Sequence, residues 1–154
     1  SKIPTSYRKK LFILLIGDGP LKHDIVKKLK DLSIRFKLIP RLPFSYMPYV
    51  YKTADIYIHT SHIEGFGFPI VEAMASGLPT IVPSYGAAPE ICSKCIRFKA
   101  YDSSDLADKI FVVINDAEKY NRLSSMCLNE SRRFSWRKTA LKYLQIYNQL
   151  IKVG

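Results

Sequence analysis

Residues 61–72, with the sequence SHIEGFGFPIVE, combine two carboxylates, a glycine-rich turn and a predicted helix start, which are groups that can form hydrogen bonds with a ligand. Two carboxylates, Glu64 and Glu72, enclose a glycine-rich turn formed by Gly65, Phe66, Gly67 and Phe68. Glycines let a backbone approach a ligand closely, and the first amides of a helix suit a phosphate or a sugar hydroxyl. Carboxylates accept hydrogen bonds from hydroxyls, so Glu64 could contact a reacting sugar and Glu72 a ribose diol. Two glutamates at this spacing are common, however, and spacing alone favours a structural role.

The elements around this segment alternate between strands and helices. Apolar runs predict strands over residues 11–16, 36–39, 56–58, 80–82 and 96–98. Helical spacing predicts helices over residues 21–32, 46–51, 69–76, 106–113, 117–131 and 136–153. Ser103 or Ser104 is expected to cap the fourth of these helices, and Ser135 the last. The alternation predicts one α/β domain over residues 1–154, with a Rossmann-like, doubly wound parallel sheet that binds ligands at the carboxyl ends of its strands.

Composition limits the function classes that this chain can belong to. Its 154 residues are 47% hydrophobic, which is enough for one packed core. No apolar run approaches the roughly 20 residues of a membrane-spanning helix, and no signal-peptide pattern opens the chain, so we expect a soluble protein in the cytoplasm. The net charge of +11 favours an anionic partner: nucleic acid, anionic lipid at the inner face of a membrane, or a phosphorylated small molecule.

Cysteine and histidine residues offer weaker signals. The cysteines, Cys92, Cys95 and Cys127, are odd in number and too few for a disulfide framework, which is typical of a reducing compartment. Cys92 and Cys95 have the spacing of half a zinc site, but no second Cys pair or His pair completes four ligands, so we expect free thiols and no metal site. His59 and His62 are more typical of polar loop residues than of an acid and a base.

Further motifs accompany the paired glutamates in a fixed order. They are GDGP at 17–20, ADIY at 54–57, EGFG at 64–67, EAMASGLP at 72–79, Gly86 with Pro89 and Glu90, and FSW at 134–136. Together they cover nearly the whole chain and resemble the retaining glycosyltransferases of family 4. The resemblance implies the C-terminal, donor-binding half of a GT-B fold. The acceptor-binding N-terminal domain is not part of the sequence, and we expect the chain alone to be inactive.

The resemblance also implies roles for individual residues. Glu64 would contact the transferred sugar near the reaction centre, residues 65–68 would offer backbone donors to the sugar and diphosphate, and Glu72 would bind the nucleotide ribose. The donor would be a UDP-, GDP- or other nucleoside diphosphate sugar, and the acceptor a glycolipid or a growing polysaccharide. Neither a metal nor a cofactor is expected, in agreement with the absence of an Asp-x-Asp motif from the sequence.

The sequence departs from the family pattern at two places. The Gly-Arg segment and lysine that neutralise the leaving diphosphate in the family have no match in residues 1–10. Pro40 stands near a position where the family has a glycine that helps to hold the base, and proline has no N–H to donate. Diphosphate neutralisation and base recognition are therefore not assigned to these positions.

Two other functions fit the same architecture. One is a non-catalytic, basic module that binds nucleotides or nucleic acid, although the sequence has no recognised nucleic-acid motif and we expect no such partner. The other is a sugar-nucleotide epimerase, because a fold does not fix a function.

Trp136, in the last motif, is expected to pin the final helix to the core.

Overall fold

The computed structural model describes residues 3–61 and 63–152, which form an α/β fold with parallel strands, as predicted. The strands are β1 (Phe12–Ile16), β2 (Arg35–Ile39), β3 (Tyr57–Ile58), β4 (Thr80–Pro83) and β5 (Ile96–Phe98). The helices are α1 (Thr5–Arg8), α2 (Lys22–Asp31), α3 (Met47–Thr53), α4 (Phe68–Ala75), α5 (Ala88–Ile91), α6 (Ser103–Ile114), α7 (Ala117–Ser131) and α8 (Trp136–Lys152). A short 3-10 turn at Phe44–Tyr46 leads into α3.

The described strands form two parallel sheets. β1 pairs with β2, from Phe12 opposite Arg35 to Ile16 opposite Ile39. The second sheet has the order β3-β4-β5. Because the strands of each sheet are parallel, their carboxyl ends lie at one edge, and in the second sheet that edge carries the segment that follows β3.

The core is built on the second sheet. Every residue of β4 is buried, and α4 contributes Ile70 and Met74, both fully buried, to the same cluster. Helix α7 packs against α4 and adds Leu123 and Cys127. Burying these apolar side chains stabilises the fold by about 1.5–3 kcal/mol for each large residue. The core therefore fixes the position of α4, and the first residues of α4 belong to the predicted site.

The cap of α6 differs from the prediction. Asp102, rather than Ser103 or Ser104, is the N-cap, and its carboxylate accepts hydrogen bonds from the amides of Ser104 at 2.9 Å and Asp105 at 3.0 Å. The serines lie one and two residues inside the helix. For α8, the Ser135 hydroxyl accepts a hydrogen bond of 3.4 Å from the Lys138 amide, as the predicted cap requires.

The last helix does not pack as predicted. Trp136 is 77% exposed and stacks on Phe68, with ring centroids 5.9 Å apart, rather than entering the core. Large apolar side chains farther along α8, among them Leu144 and Leu150, are also more than half exposed. Within the part of the chain that the structure describes, α8 has little contact with other helices or strands, so its apolar side chains stay exposed. No helix in the described part of the chain is long and apolar enough to cross a membrane.

The expectation of free thiols is wrong for two of the cysteines. Cys92 and Cys95 form a disulfide, and only Cys127 is a free, buried thiol. The turn between α5 and β5 brings the Cα atoms of Cys92 and Cys95 to 5.4 Å, within the range that a disulfide needs. The argument from free thiols to a reducing compartment therefore loses its support.

Candidate functional site

The end of β3 places His59 in the interior of the fold. The His59 amide donates to the Ile81 carbonyl at 2.9 Å, which extends the pairing of β3 with β4 by one residue. The side chain is 5% exposed. Its Nδ1 lies 3.1 Å from the Tyr57 hydroxyl, and its Nε2 lies 3.3 Å from Glu64 Oε1, close but without the alignment of a hydrogen bond.

This arrangement corrects the interpretation of His59 as a polar loop residue. The backbone pairing with β4 continues one residue past the end of β3, so the buried His59 points to the same side as the partly buried Tyr57. Burial lowers the pKa of the imidazole below its ordinary 6.5, and the nearby Glu64 carboxylate opposes that shift. His62 lies outside the described residues.

The glycine-rich turn ends in a left-handed residue. Gly67 is the N-cap of α4, with φ of 79°. A Cβ at this position would lie 3.1 Å from the terminal methyl groups of Ile70 and Ile91. The left-handed backbone conformation favours glycine, and a Cβ would also require the neighbouring methyl groups to shift by a few tenths of an ångström. The helix begins at Phe68, one residue before the predicted start, because this conformation already turns the chain into the helix.

The start of α4 retains two amides without an acceptor among the described residues. Pro69 has no N–H, and the Ile70 amide donates to the Gly67 carbonyl at 2.9 Å. Among the described residues, the amides of Gly67 and Phe68 have no hydrogen-bond acceptor. These donors lie at the positive end of the helix dipole, where an anion is stabilised.

Glu72 lies in the second turn of α4 and is half-buried. Its Oε2 accepts a hydrogen bond of 3.0 Å from the hydroxyl of Tyr51, a buried residue of α3. Burial, followed by the Glu72 charge, raises the pKa of Tyr51 far above its ordinary value, so the hydroxyl remains a donor at neutral pH. Tyr51 thus holds one oxygen of the carboxylate in place.

Tyr57 connects the two glutamates. Burial raises the pKa of its hydroxyl most, and the charges of Glu64 and Glu72 both add to that shift. Its ring also packs edge-on against that of Tyr51, with centroids 5.9 Å apart. The structure therefore brings the predicted carboxylates together around one tyrosine, in a chain of contacts that runs from Glu64 through His59, Tyr57 and Tyr51 to Glu72.

Sequence reasoning missed the residues that join these carboxylates. Tyr57 and His59 are two residues apart, and this alternation in an apolar strand places both side chains on one side of the sheet. This alternation is the feature of the sequence that predicts a contact between Tyr57 and His59. Tyr51 comes from a different helix, and no spacing in the sequence predicts its contact with Glu72.

The phenylalanines of the turn pack outside this chain of contacts. The Phe66 ring lies 4.9 Å from the Phe68 ring and 5.6 Å from that of Phe134, and Phe68 stacks on Trp136. Both remain partly exposed, at 40% and 50%. The rings of the turn therefore contact Phe134 and Trp136, at and just before the start of α8.

A shallow depression accompanies the carboxyl ends of β3 and β5. It has a volume of about 180 Å³ and is lined by Thr60, Phe98, Tyr101, Asp102, Ser103 and Leu106. A larger depression of about 430 Å³ lies beside α7 and is lined by neither glutamate. Neither glutamate lines the smaller depression, and both are half-buried.

Known proteins with the same features are glycosyltransferases. Sulfoquinovosyl transferase SQD2 of Arabidopsis thaliana is 26% identical over 136 residues, which cover 84% of this chain and 26% of that protein. O-antigen chain mannosyltransferase B of Escherichia coli is 23% identical over 152 residues, which cover 96% of this chain and 40% of that protein. The chain thus spans between about a quarter and two fifths of the length of these relatives.

A solved structure shows the same fold. Alr3699/HepE of Anabaena, crystallised in complex with UDP and glucose, superposes with a TM-score of 0.77 and 26% identity, over 88% of this chain and 40% of that one. This likeness agrees with the C-terminal half of a GT-B fold. The family model of the glycosyl transferases group 1 matches residues 1–126. With most of its length matched by that model, the chain belongs to the group 1 glycosyltransferases.

Proposed function

We propose that this chain binds a nucleoside diphosphate sugar between the end of β3 and the start of α4. It would supply the donor-binding half of an enzyme that transfers the sugar to a glycolipid or polysaccharide with retention of configuration. The observation that carries the proposal is that Glu64 and Glu72 belong to one chain of contacts around Tyr57. In sequence they flank Gly67 and Phe68, whose amides have no acceptor among the described residues.

Each group has a role in binding the donor. The amides of the turn and the dipole of α4 would stabilise the diphosphate, which gains negative charge as it leaves. Glu64 would accept hydrogen bonds from the transferred sugar, and His59 would fix the direction of its carboxylate. The Glu72 oxygen that does not accept from Tyr51 is available to the ribose diol.

The reaction would need only positioned charges. The acceptor would attack from the face that the leaving diphosphate occupies, while the sugar has oxocarbenium-like character. The net charge of +11 supports the retention of an anionic donor. We propose that neither a metal ion nor a cofactor takes part. A UDP-sugar is the first donor to test, because the Anabaena neighbour was crystallised with UDP and glucose.

Calorimetry of this chain with UDP, GDP and their sugars tests donor binding. The variant Glu72→Ala loses a charged hydrogen-bond acceptor, and we expect its affinity for the bound nucleotide to fall about tenfold or more. Glu118→Ala, at an exposed carboxylate on α7, is the matched control and should bind as the wild type does. Equal affinities of Glu72→Ala and the wild type would contradict the proposed site.

We also propose that the enzyme works in the cytoplasm, in peripheral contact with an anionic membrane. Support comes from α8, where Arg137, Lys138 and Lys142 accompany the exposed apolar side and where residues 136–151 include no acidic residue. Cosedimentation with vesicles should occur with phosphatidylglycerol and should be lost with phosphatidylcholine alone. Binding to neither vesicle would contradict membrane contact without affecting donor binding.

A further inference from the structure

Three sulfur atoms meet at the turn between α5 and β5. Cys92 and Cys95 lie in that turn, and Cys127 reaches it from α7. Their sulfur atoms all lie within 4.8 Å of one another, and Cys95 Sγ is 3.9 Å from Cys127 Sγ. All three residues are buried. Sulfur atoms gathered in this way are the donor set that Zn²⁺ prefers.

Glu130 adds an oxygen to this group. It lies one helical turn after Cys127, and its Oε2 is 3.7 Å from Cys92 Sγ. The Ser93 amide and hydroxyl donate to Oε1 at 2.9 and 2.7 Å, and the Lys94 amide donates to Oε2 at 2.9 Å. The carboxylate is therefore held over the turn that carries the first two cysteines, with lone pairs remaining on Oε2.

Two separations between these ligand atoms match edges of a tetrahedral site. With metal–sulfur and metal–oxygen bonds of about 2.3 and 2.1 Å, a tetrahedral site has sulfur–sulfur edges of about 3.8 Å and sulfur–oxygen edges of about 3.6 Å. The Cys95–Cys127 separation of 3.9 Å and the Cys92–Glu130 separation of 3.7 Å are two such edges, and they are opposite edges of one tetrahedron.

We propose that Cys92, Cys95, Cys127 and Glu130 bind a thiophilic divalent cation once the Cys92–Cys95 disulfide is reduced. A dithiol reductant would transfer two electrons and two protons to the disulfide and become a disulfide itself. The cation would then displace the thiol protons and form bonds to the sulfur atoms. Reduction frees the Cys92 and Cys95 sulfurs from each other, so that each can bind the cation separately.

The site is independent of donor binding. Cys95 precedes β5 and therefore lies at the amino end of that strand, whereas Glu64 follows the carboxyl end of β3. A bound cation would tie α7 to the α5–β5 turn and act on stability. The guanidinium of Arg133, 3.9 Å from Glu130, and the positive chain as a whole would offset the negative charge of the four ligands.

Titration of the whole chain with Co²⁺ under anaerobic conditions tests the site. After reduction by a phosphine and its removal, we expect one Co²⁺ per chain, with the intense visible bands of tetrahedral thiolate coordination. The oxidised chain should bind none. Cys127→Ser and Glu130→Gln should each weaken binding about tenfold or more, whereas Glu118→Gln, on the same helix, should bind as the wild type does.

A second measurement does not depend on the folding of the variants. Zn²⁺ should raise the Tm of the reduced wild-type chain and leave that of the oxidised chain unchanged. A reduced wild-type chain that takes up no Co²⁺ and gains no stability from Zn²⁺ would overturn the proposal. So would uptake of Co²⁺ with the same affinity by a folded Cys127→Ser variant.

Discussion

The imidazole Nε2 of His59 lies 3.3 Å from Oε1 of Glu64, while the other ring nitrogen contacts Tyr57. One nitrogen thus fixes the ring and the other approaches the carboxylate. Within the proposed function, His59 is a positioning residue that acts through Glu64, because its own buried side chain leaves little room for a ligand.

Removal of this histidine should affect turnover more than binding. In an enzyme that contains both domains, we expect His59→Ala to lower kcat about 10- to 100-fold, because a displaced Glu64 no longer meets the sugar in the reactive geometry. The KM for the donor should change little. Steady-state kinetics separate the two effects, and the exposed His23→Ala is the control. A parallel loss of kcat in both variants would argue against a positioning role.

The stability of the chain should depend on the protonation of His59. Burial keeps the folded-state pKa below the ordinary 6.5, so the unfolded chain takes up a proton first as the pH falls. The free energy of unfolding should therefore fall below about pH 6.5 and continue to fall through the folded-state pKa. Urea titrations at several pH values measure this, and His59→Gln should lack this part of the pH dependence. If the free energy of unfolding of His59→Gln depends on pH as that of the wild type does, groups other than His59 cause the dependence.

The two glycines of the turn should differ in tolerance to substitution. Gly67→Ala forces a side chain into a left-handed conformation and against Ile70 and Ile91, so the free energy of unfolding should fall by about 1–2 kcal/mol. At Gly65 a Cβ meets no atom within 4 Å, and Gly65→Ala should have little effect. Urea unfolding of both variants provides the comparison. Equal stability of the two variants would contradict the account of Gly67.

The Tyr51 hydroxyl should matter for both folding and the donor. Tyr51→Phe removes the hydrogen bond to Glu72, and we expect a loss of about 1 kcal/mol in the free energy of unfolding. Donor affinity should also fall, since Glu72 loses the partner that orients it. Tyr49→Phe, at a side chain that is 69% exposed, should change neither quantity. If calorimetry finds full affinity in Tyr51→Phe, the tyrosine does not orient the ribose-binding carboxylate.

Local sequence patterns predict most of the helices and strands of the fold. The strand predicted at 96–98 matches β5, in which the alternating Ile96 and Phe98 are the more buried residues and Arg97 is exposed. The start of α4 was predicted one residue late, since periodicity does not reveal the left-handed backbone of Gly67. At α6 the neighbouring serines were equally suitable as caps by residue type, but Asp102 is the N-cap, and its carboxylate accepts hydrogen bonds from two amides.

The site could be predicted only in part, because some of its residues meet only through contacts between elements that are distant in sequence. The spacing of Glu64 and Glu72 singled out both residues, but their connection through Tyr57 depends on α3 and β3 packing together. The cysteines show the same limit. The sequence contains no second Cys or His pair at ligand spacing, and only the packing of α7 brings Cys127 and Glu130 to the turn that carries Cys92 and Cys95. The roles of the site residues in donor binding stay predictions.

The division of the described strands into two sheets has a consequence for local unfolding of the chain. Before Tyr51, Ile34 is the only buried apolar side chain among the described residues, whereas the β3-β4-β5 sheet carries a continuous core. Amide protons of β1 and β2 should therefore exchange with deuterium much faster than those of β4, through local openings that leave the rest folded. The first third of the chain would then behave as a cooperative unit of its own, the earliest to come apart under mild denaturation.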